Sequence, residues 1–237
     1  LESLLGSLDV EGSDIIEMDT GIYNVTSSFG NVTAVDSGRE GLDVVIRGST
    51  NGTRINRRAG PTTVMTISGP YVRMRDISFS GGALAISGGF VDGSAITMTN
   101  GGISITGSDV TLTNVTLNTS PVTVSGVSNI VLRESLLRNG GIALTDSRNA
   151  TLQHLTIHGS ASVGVSVQGA SAPLSMRNCT VAVSGNQFQM SGASTVTLEN
   201  NIIVADGSGR FCLLPEGGIL TSDYNNRATR NGAGLGA

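Results

Sequence analysis

The stretch that decides the fold is Val110-Thr-Leu-Thr-Asn-Val-Thr-Leu117, in which apolar and polar residues alternate on both sides of a short break. Related octets begin at Ile130, Ala150, Leu174 and Val196, and the residues at their third positions follow one another at intervals of 20, 20, 24 and 22. A repeat of this length is typical of a solenoid, in which each coil packs on its neighbours. The repeat therefore predicts an all-β solenoid.

Each predicted coil holds three short strands, which in one coil are residues 110–112, 115–117 and 122–124. The link Thr113-Asn114 is too short for a hairpin, so each strand is expected to pair with its counterpart in the next coil. Such pairing is parallel, with neighbouring strands about 4.8 Å apart. We expect about ten coils, whose first strands lie near Ile15, Val44, Val72, Phe90, Val110, Ile130, Ala150, Leu174, Val196 and Ile219.

The whole chain, 1–237, is interpreted as one β-helix domain. Leu1, Leu4, Leu5 and Leu8 have helical spacing, which predicts a short N-terminal helical cap over residues 1–12. The coils are expected to occupy 13–225, and the Gly-rich stretch 226–237 is expected to be a weakly structured tail. Because the sequence has no initiator Met, we interpret it as part of a longer protein.

Stacked coils place equivalent residues in columns, and the break within each octet defines a bend column. Asn suits a bend because it tolerates unusual backbone angles and its amide can hydrogen-bond to the next coil. We therefore predict a structural polar ladder, which Glu134 and His154 also join. Its predicted Asn and Asp members are Asp76, Asn114, Asn178 and Asn200.

Three segments resemble the right-handed parallel β-helix superfamily, which has the pectin-lyase-like fold. Residues 13–23 resemble its first coil, and 45–55 resemble the second. The run 199–204, followed by Ser222-Asp-Tyr-Asn225, resembles coils of large secreted or surface β-helix proteins. The resemblance implies a right-handed coil and an extracellular or cell-surface location. Its motifs are structural, so they indicate the fold rather than the activity.

Polysaccharide-degrading members of that superfamily carry motifs that this sequence lacks. The resemblance implies clustered calcium-binding carboxylates with an Arg base in lyases, or Asn-Thr-Asp, Asp-Asp, Gly-His-Gly and Arg-Ile-Lys motifs in hydrolases. Here Asn118-Thr-Ser120 lacks the carboxylate, Ile157 precedes His158-Gly159, and the chain has no Lys. We accordingly expect no cofactor and no metal site.

The best candidate for catalysis is Glu134 with His154, which the repeat places one coil apart in the bend column. A His beside a carboxylate can act as a general base. Arg133 and Arg177 in the neighbouring column would suit an anionic sugar. The competing and favoured interpretation is that Glu134 and His154 simply replace ladder Asn residues at a solvated bend.

Composition narrows the classes of partner. The net charge is -4, which disfavours general nucleic-acid binding. No apolar run is long enough to predict membrane insertion. Asn-x-Ser/Thr sequons also occur, although Val-Thr strands preceded by Asn generate them by chance. The sequons, which could carry glycans in a secreted eukaryotic protein, are Asn24, Asn31, Asn51, Asn114, Asn118, Asn149 and Asn178.

The leading hypothesis is a non-catalytic extracellular or surface module that serves as a structural or interaction element of a larger assembly. Its expected partners are other protein chains or flanking domains at the solenoid ends, with carbohydrate as a further candidate. The first alternative is a polysaccharide lyase or glycoside hydrolase with a divergent active site. The second is a trimeric spike or adhesin.

Overall fold

The computed structural model describes residues 10–58, 63–171, 173–206, 209–213 and 218–230. Its strands, numbered β1 to β27 along the chain, stack in three parallel columns. The first column contains β1 (Ile15–Glu17), β4 (Val44–Arg47), β7 (Val72–Ser80), β9 (Val91–Thr99), β11 (Val110–Thr113), β14 (Ser128–Arg133), β17 (Arg148–Gln153), β20 (Leu174–Arg177), β23 (Thr195–Glu199) and β26 (Ile219–Asp223).

The second column runs beside the first, and the long strands β7 and β9 continue into it. Its other members are β2 (Gly21–Val25), β5 (Thr53–Arg57), β12 (Thr116–Asn118), β15 (Leu136–Arg138), β18 (Thr156–Gly159), β21 (Thr180–Val183), β24 (Ile202–Asp206) and β27 (Asn226–Arg230). The third column contains β3 (Gly30–Val32), β6 (Thr63–Ile67), β8 (Ala83–Ile86), β10 (Gly102–Ile105), β13 (Val122–Ser125), β16 (Ile142–Thr145), β19 (Val163–Gln168), β22 (Asn186–Met190) and β25 (Cys212–Leu213).

The core fills the interior of the coil, as alternation predicts. Leu112 pairs in register with Leu132, Leu132 with Leu152, Leu152 with Met176, and Met176 with Leu198. All five side chains are buried, so they form one continuous apolar column inside the solenoid. Neighbouring residues such as Thr111 and Thr113 point outward. The predicted all-β, parallel β-helix is therefore confirmed.

The prediction of about ten uniform coils is corrected, because about seven coils, those that begin with β7 to β23, repeat the regular pattern. Register partners in the first column lie 19 to 24 residues apart along these coils. The two preceding coils are longer, with steps of 30 and 28 residues. One of their long connections includes the 3-10 helix Ala34–Asp36. Of a final coil, the structure describes strands β26 and β27 alone.

The predictions for the two end segments are also revised. The helical cap over 1–12 falls largely on residues 1–9, which lie outside the described residues, and 10–12 form no helix. The predicted tail 226–237 begins with a strand, because β27 pairs in parallel with β24 from Asn226 to Arg230. Residues 231–237 lie outside the described part. None of the helices in the described residues is long and apolar enough to cross a membrane.

Candidate functional site

The bend column lies between the first and second strands of each coil, and its residues adopt left-handed backbone angles. Here φ ranges from 50° to 59°, a region that Asn and Asp enter more readily than most residues. The column therefore turns the chain sharply at the same place in every regular coil. Its members are Asp76, Ala95, Asn114, Glu134, His154, Asn178, Asn200 and Tyr224.

Part of this column forms the predicted polar ladder. Asn200 Nδ2 donates to Asn178 Oδ1 at 2.6 Å, and Asn178 Nδ2 lies 3.2 Å from His154 Nε2. If that amide nitrogen donates, Nε2 of the ring accepts and the ring proton sits on Nδ1. Along the described ladder, the side chains of Asn114 and Glu134 make no such bond. The ladder is thus continuous over its last three polar members.

Glu134 and His154 occupy neighbouring positions in the bend column, as predicted, and both are exposed. The backbone N–H of Glu134 donates to the carbonyl of Gln153 at 3.0 Å, which ties the two coils together. Their side chains share no hydrogen bond in the described structure. Because both residues have the same φ as the neighbouring Asn residues, their shared geometry is that of the bend.

Arg133 and Arg177 lie in the outward column beside the bend, and each contacts a neighbouring coil. Arg133 Nε donates to Thr113 Oγ1 at 3.0 Å. Arg177 Nε forms an ion pair with Glu199 Oε2 at 3.0 Å. Gln153 lies between the two arginines in register. The structure therefore brings the four candidates onto one edge of the solenoid. The side chain of each arginine, however, bonds to a residue in a coil that contains neither Glu134 nor His154.

An inner ladder, which the sequence analysis missed, lies one residue after the bend column. Asn201 Oδ1 accepts the backbone N–H of Cys179 at 2.9 Å, and Asn201 Nδ2 donates to the carbonyl of Met176 at 3.0 Å. Asn225 repeats the arrangement one coil later, accepting from Asn201 N and donating to Leu198 O, both at 2.8 Å. The signal in the sequence for this inner ladder was the doublet Asn200-Asn201, in which the first amide lies outside the coil and the second lies inside.

Cys179 lies in this inner ladder, where other coils place Val115 and Leu155. It is a free, buried thiol, and burial raises its pKa to about 11. Backbone hydrogen bonds oppose that shift but do not cancel it. Because the thiolate is the reactive form, this environment suits a packing role rather than nucleophilic chemistry.

A second candidate site, also missed, is an open depression of about 870 Å³ at the first coils. Its charged lining residues are Glu17, Asp19, Arg47, Arg75 and Asp76, and Arg47 forms an ion pair with Glu17. Asp76 was expected only as a ladder member. Within the described residues, no three His, Cys, Asp or Glu side chains come together as a metal site requires.

The sequons lie on the outer surface of the coils. Six of the seven Asn residues are exposed, and Asn118 is half-buried. Asn24 Oδ1 already accepts hydrogen bonds from Asn56 and Arg58, and Asn149 donates to Asn129 at 3.1 Å. Glycosylation at these positions stays a prediction.

Comparison with known proteins agrees with the observed architecture. A family model described as right handed beta helix region matches residues 140–236. The described residues form a right-handed parallel β-helix. No curated protein matches this β-helix.

Among solved structures, the β-helix is similar to the A-module of the mannuronan C-5 epimerase AlgE4 from Azotobacter vinelandii, with 11% identity and a TM-score of 0.56 over 98% of this chain and 95% of that one. A rhamnogalacturonan lyase is 10% identical, with a TM-score of 0.61 over 91% of this chain and 80% of that one. The pectate lyase Pel9A is 11% identical, with a TM-score of 0.59 over 98% of this chain and 72% of that one. At such identities, the likeness is one of fold alone.

Proposed function

We propose that this β-helix is a non-catalytic structural or interaction module, located outside the cell, whose bend residues stabilise the coil rather than a transition state. The observation that carries the proposal is the backbone of Glu134 and His154. Their φ values of 52° and 53° match the 54° of Asn114 and Asn178. A conformation shared by a whole column has its cause in the repeat, not in a substrate that would contact one or two coils.

The contacts of the neighbouring side chains support the same proposal. His154 lies at the end of an amide ladder, and Arg177 is paired with Glu199. These bonds connect successive coils, which is the function expected of polar groups at a solvated corner. A catalytic base would need a free lone pair facing a substrate position.

The second candidate function is action on an acidic polysaccharide at the depression of the first coils. The observation that favours it is the grouping of Arg47 and Arg75 with the carboxylates of Glu17, Asp19 and Asp76. Arginine suits carboxylate recognition because its planar fork donates two parallel hydrogen bonds. The similar solved structures described above are named as enzymes of mannuronan, rhamnogalacturonan and pectate, although likeness of fold carries no residue role to this chain.

The deciding experiment measures stability and activity on the same variants. Glu134→Asn and His154→Asn each place the residue preferred at φ near 53°, so the structural proposal predicts that unfolding free energy stays equal or rises by about 0.5 to 1 kcal/mol. Urea unfolding followed by circular dichroism gives that number. Asn114→Val, which puts a β-branched residue at the same corner, is the matched destabilising control.

The same proteins, together with an Arg75→Gln variant, are then incubated with pectate, alginate and neutral glycans, with and without calcium. Unsaturated products and new reducing ends are measured. Turnover by the wild type that is lost in His154→Asn, despite unchanged stability, would refute the structural proposal. Turnover lost only in Arg75→Gln would favour the depression instead. No turnover by any protein, with positive controls active, supports the non-catalytic module.

A further inference from the structure

Two copies of the sequence Asn-Gly-Gly-Ile occupy the same corner of the β-helix, two coils apart. They are Asn100-Gly-Gly-Ile103 and Asn139-Gly-Gly-Ile142. The strands that precede them, β9 and β15, both pair in register with β12, so Asn100 and Asn139 lie in one column. Their φ angles are 54° and 53°, and both residues are exposed. The two sites are therefore matched in local sequence and in backbone conformation.

The glycine N–H groups at these two sites have different surroundings. The N–H of Gly101 donates to Ser120 Oγ in the next coil at 3.0 Å. The N–H of Gly140 takes part in none of the hydrogen bonds among the described residues. The residue that corresponds to Ser120 one coil beyond Gly140 is Ser160, which is exposed and follows a corner that opens at Gly159, where φ is 103°. The Gly140 nitrogen is therefore free to act as a nucleophile.

The carboxamide of Asn139 is also held differently from that of Asn100. The backbone N–H of Ser160 donates to Asn139 Oδ1 at 2.9 Å, whereas the Asn100 side chain makes no hydrogen bond within the described part of the chain. A donor at this oxygen stabilises the negative charge that develops there when a nucleophile attacks Cγ. Asn139 and Gly140 line an open groove of about 420 Å³, so water reaches both groups. The structure thus supplies a free nucleophile, an activated carbonyl group and water at one site.

We propose that Asn139 is a modification site, at which the side chain loses ammonia and converts to aspartate or isoaspartate through a cyclic imide. The Gly140 nitrogen forms a bond to Asn139 Cγ, the Cγ–Nδ2 bond breaks, and the proton of Gly140 leaves with Nδ2 as ammonia. Water then opens the ring at Cγ or at the main-chain carbonyl carbon, and its proton returns to the Gly140 nitrogen. Only water is consumed, and nothing is oxidised or reduced. Glycine suits this step because it has no side chain beside the attacking nitrogen, and the reacting atoms are held within one short segment of chain.

The modification changes the groove in two ways. It adds a negative charge to a surface whose described lining residues carry none. Isoaspartate also adds a methylene group to the main chain between β15 and β16, next to the bond from Asn139 N to the carbonyl of His158 at 2.9 Å. The site lies outside the bend column and is independent of the proposed function.

The test is peptide mapping by mass spectrometry after the folded full chain is incubated at neutral pH in water enriched in oxygen-18. Asn100 is the internal control, because it shares the tetrapeptide and the φ angle of Asn139 but is followed by a glycine whose N–H is bonded. Two hydrogen bonds distinguish the sites, so Asn139 is expected to convert roughly tenfold faster or more. Its products should carry oxygen-18 and include isoaspartate. Equal rates at the two sites, or a product without isoaspartate, would overturn the proposal.

Ser120→Ala gives a second test, since it removes the acceptor of the Gly101 N–H. The variant is expected to speed conversion at Asn100 by roughly fivefold and to leave the rate at Asn139 unchanged. An unchanged rate at Asn100 in the folded variant would mean that this bond does not protect the site, which contradicts the proposal. Asn139→Gln is the blank for the peptide map, because its longer side chain forms the ring far less readily. Should Ser120→Ala fail to fold, the wild-type comparison of Asn100 with Asn139 decides on its own.

Discussion

A glycine column at one corner of the β-helix gives the sharpest test of how tightly its coils are stacked. A Cβ atom built on Gly107 would lie 1.9 Å from the carbonyl oxygen of Gly88 in the preceding coil. The corresponding atom on Gly88 would lie 2.1 Å from the carbonyl oxygen of Gly69. We therefore expect Gly107→Ala to force the two coils apart by about 1 Å, since such contacts are essentially never below 3.0 Å.

The cost of this displacement follows from the bonds it strains. Thr106 N and Gly107 N both donate to the carbonyl of Ile86, at 2.8 and 3.1 Å, and losing them costs about 1 kcal/mol each. The buried side chains of Ile86 in β8 and Ile105 in β10 are register partners next to these bonds. A gap of that size would forfeit roughly a quarter to a half of their mutual dispersion energy. With the 1 to 3 kcal/mol that overpacking typically costs, the total loss is about 3 to 5 kcal/mol.

Gly126→Ala is the control, because it makes the same chemical change by a different mechanism. Gly126 has φ of 69°, and nothing lies within 4 Å of its built Cβ. Its cost is therefore the left-handed backbone alone, about 1 to 2 kcal/mol. For a chain of this size, the melting temperature should fall by roughly 10 °C in Gly107→Ala and by a few degrees in the control. Equal losses in the two variants would refute the stacking argument.

Three further predictions concern polar and ionisable side chains of the coils. Asn201→Ala removes an amide that satisfies buried backbone groups and should cost about 2 to 4 kcal/mol in urea unfolding. Exposed Asn200→Ala loses one solvated ladder bond and the Asn preference for a left-handed bend, and it should cost about 1 kcal/mol. Because the pKa of Cys179 rises from 9.0 to about 11 on folding, its stabilising contribution is complete below pH 9 and is lost as pH rises toward 11; a Cys179→Ser control should flatten that decline. Arg227, which lies 4.3 Å above the Phe211 ring, should contribute about 0.5 to 1 kcal/mol, so Arg227→Gln should lower the urea midpoint slightly, and no change would exclude the cation–π contact.

The regular coils could be predicted from the sequence because two signals coincide there. Period-two alternation identifies the inward residues, and the recurring octet fixes their register. The intervals of 20, 20, 24 and 22 residues between Leu112 and Leu198 are the intervals of the observed strand pairs. Longer steps in this series are absorbed by connections, which leaves the core column unbroken.

Individual departures from the pattern could not be predicted, because they have tertiary causes. Ala95 adopts φ of 50° although nothing in its side chain favours that angle, so the stacked coils impose it. Arg227 is the register partner of buried Ile203, an inward position that alternation assigns to an apolar residue. Its guanidinium group lies on an aromatic ring and donates to Ser222 at 3.1 Å. Neither contact leaves a local signal.

The candidate site was harder still, because bends and active sites use the same residue types. Asp109, Asn129 and Asn149 form another left-handed column, in which each Asn donates to the preceding member. Tyr71 and Phe90 continue that column as a parallel stack, with ring centroids 4.7 Å apart and planes inclined by 1°. This spacing matches the distance between coils, so the ring planes lie perpendicular to the solenoid axis and the ring edges face outward. The stacking of this aromatic pair therefore follows from the repeat, and its ring faces do not form a platform for a sugar.

It follows that function on this scaffold should be sought where a residue breaks its column. The repeat explains Asn178, Glu134 and His154 without reference to any ligand. It does not explain the grouping of Arg47 with Arg75 beside carboxylates. This exception involves the two long coils that precede the regular ones. Because the repeat constrains these coils least, they are where binding chemistry can be added without disturbing the stack.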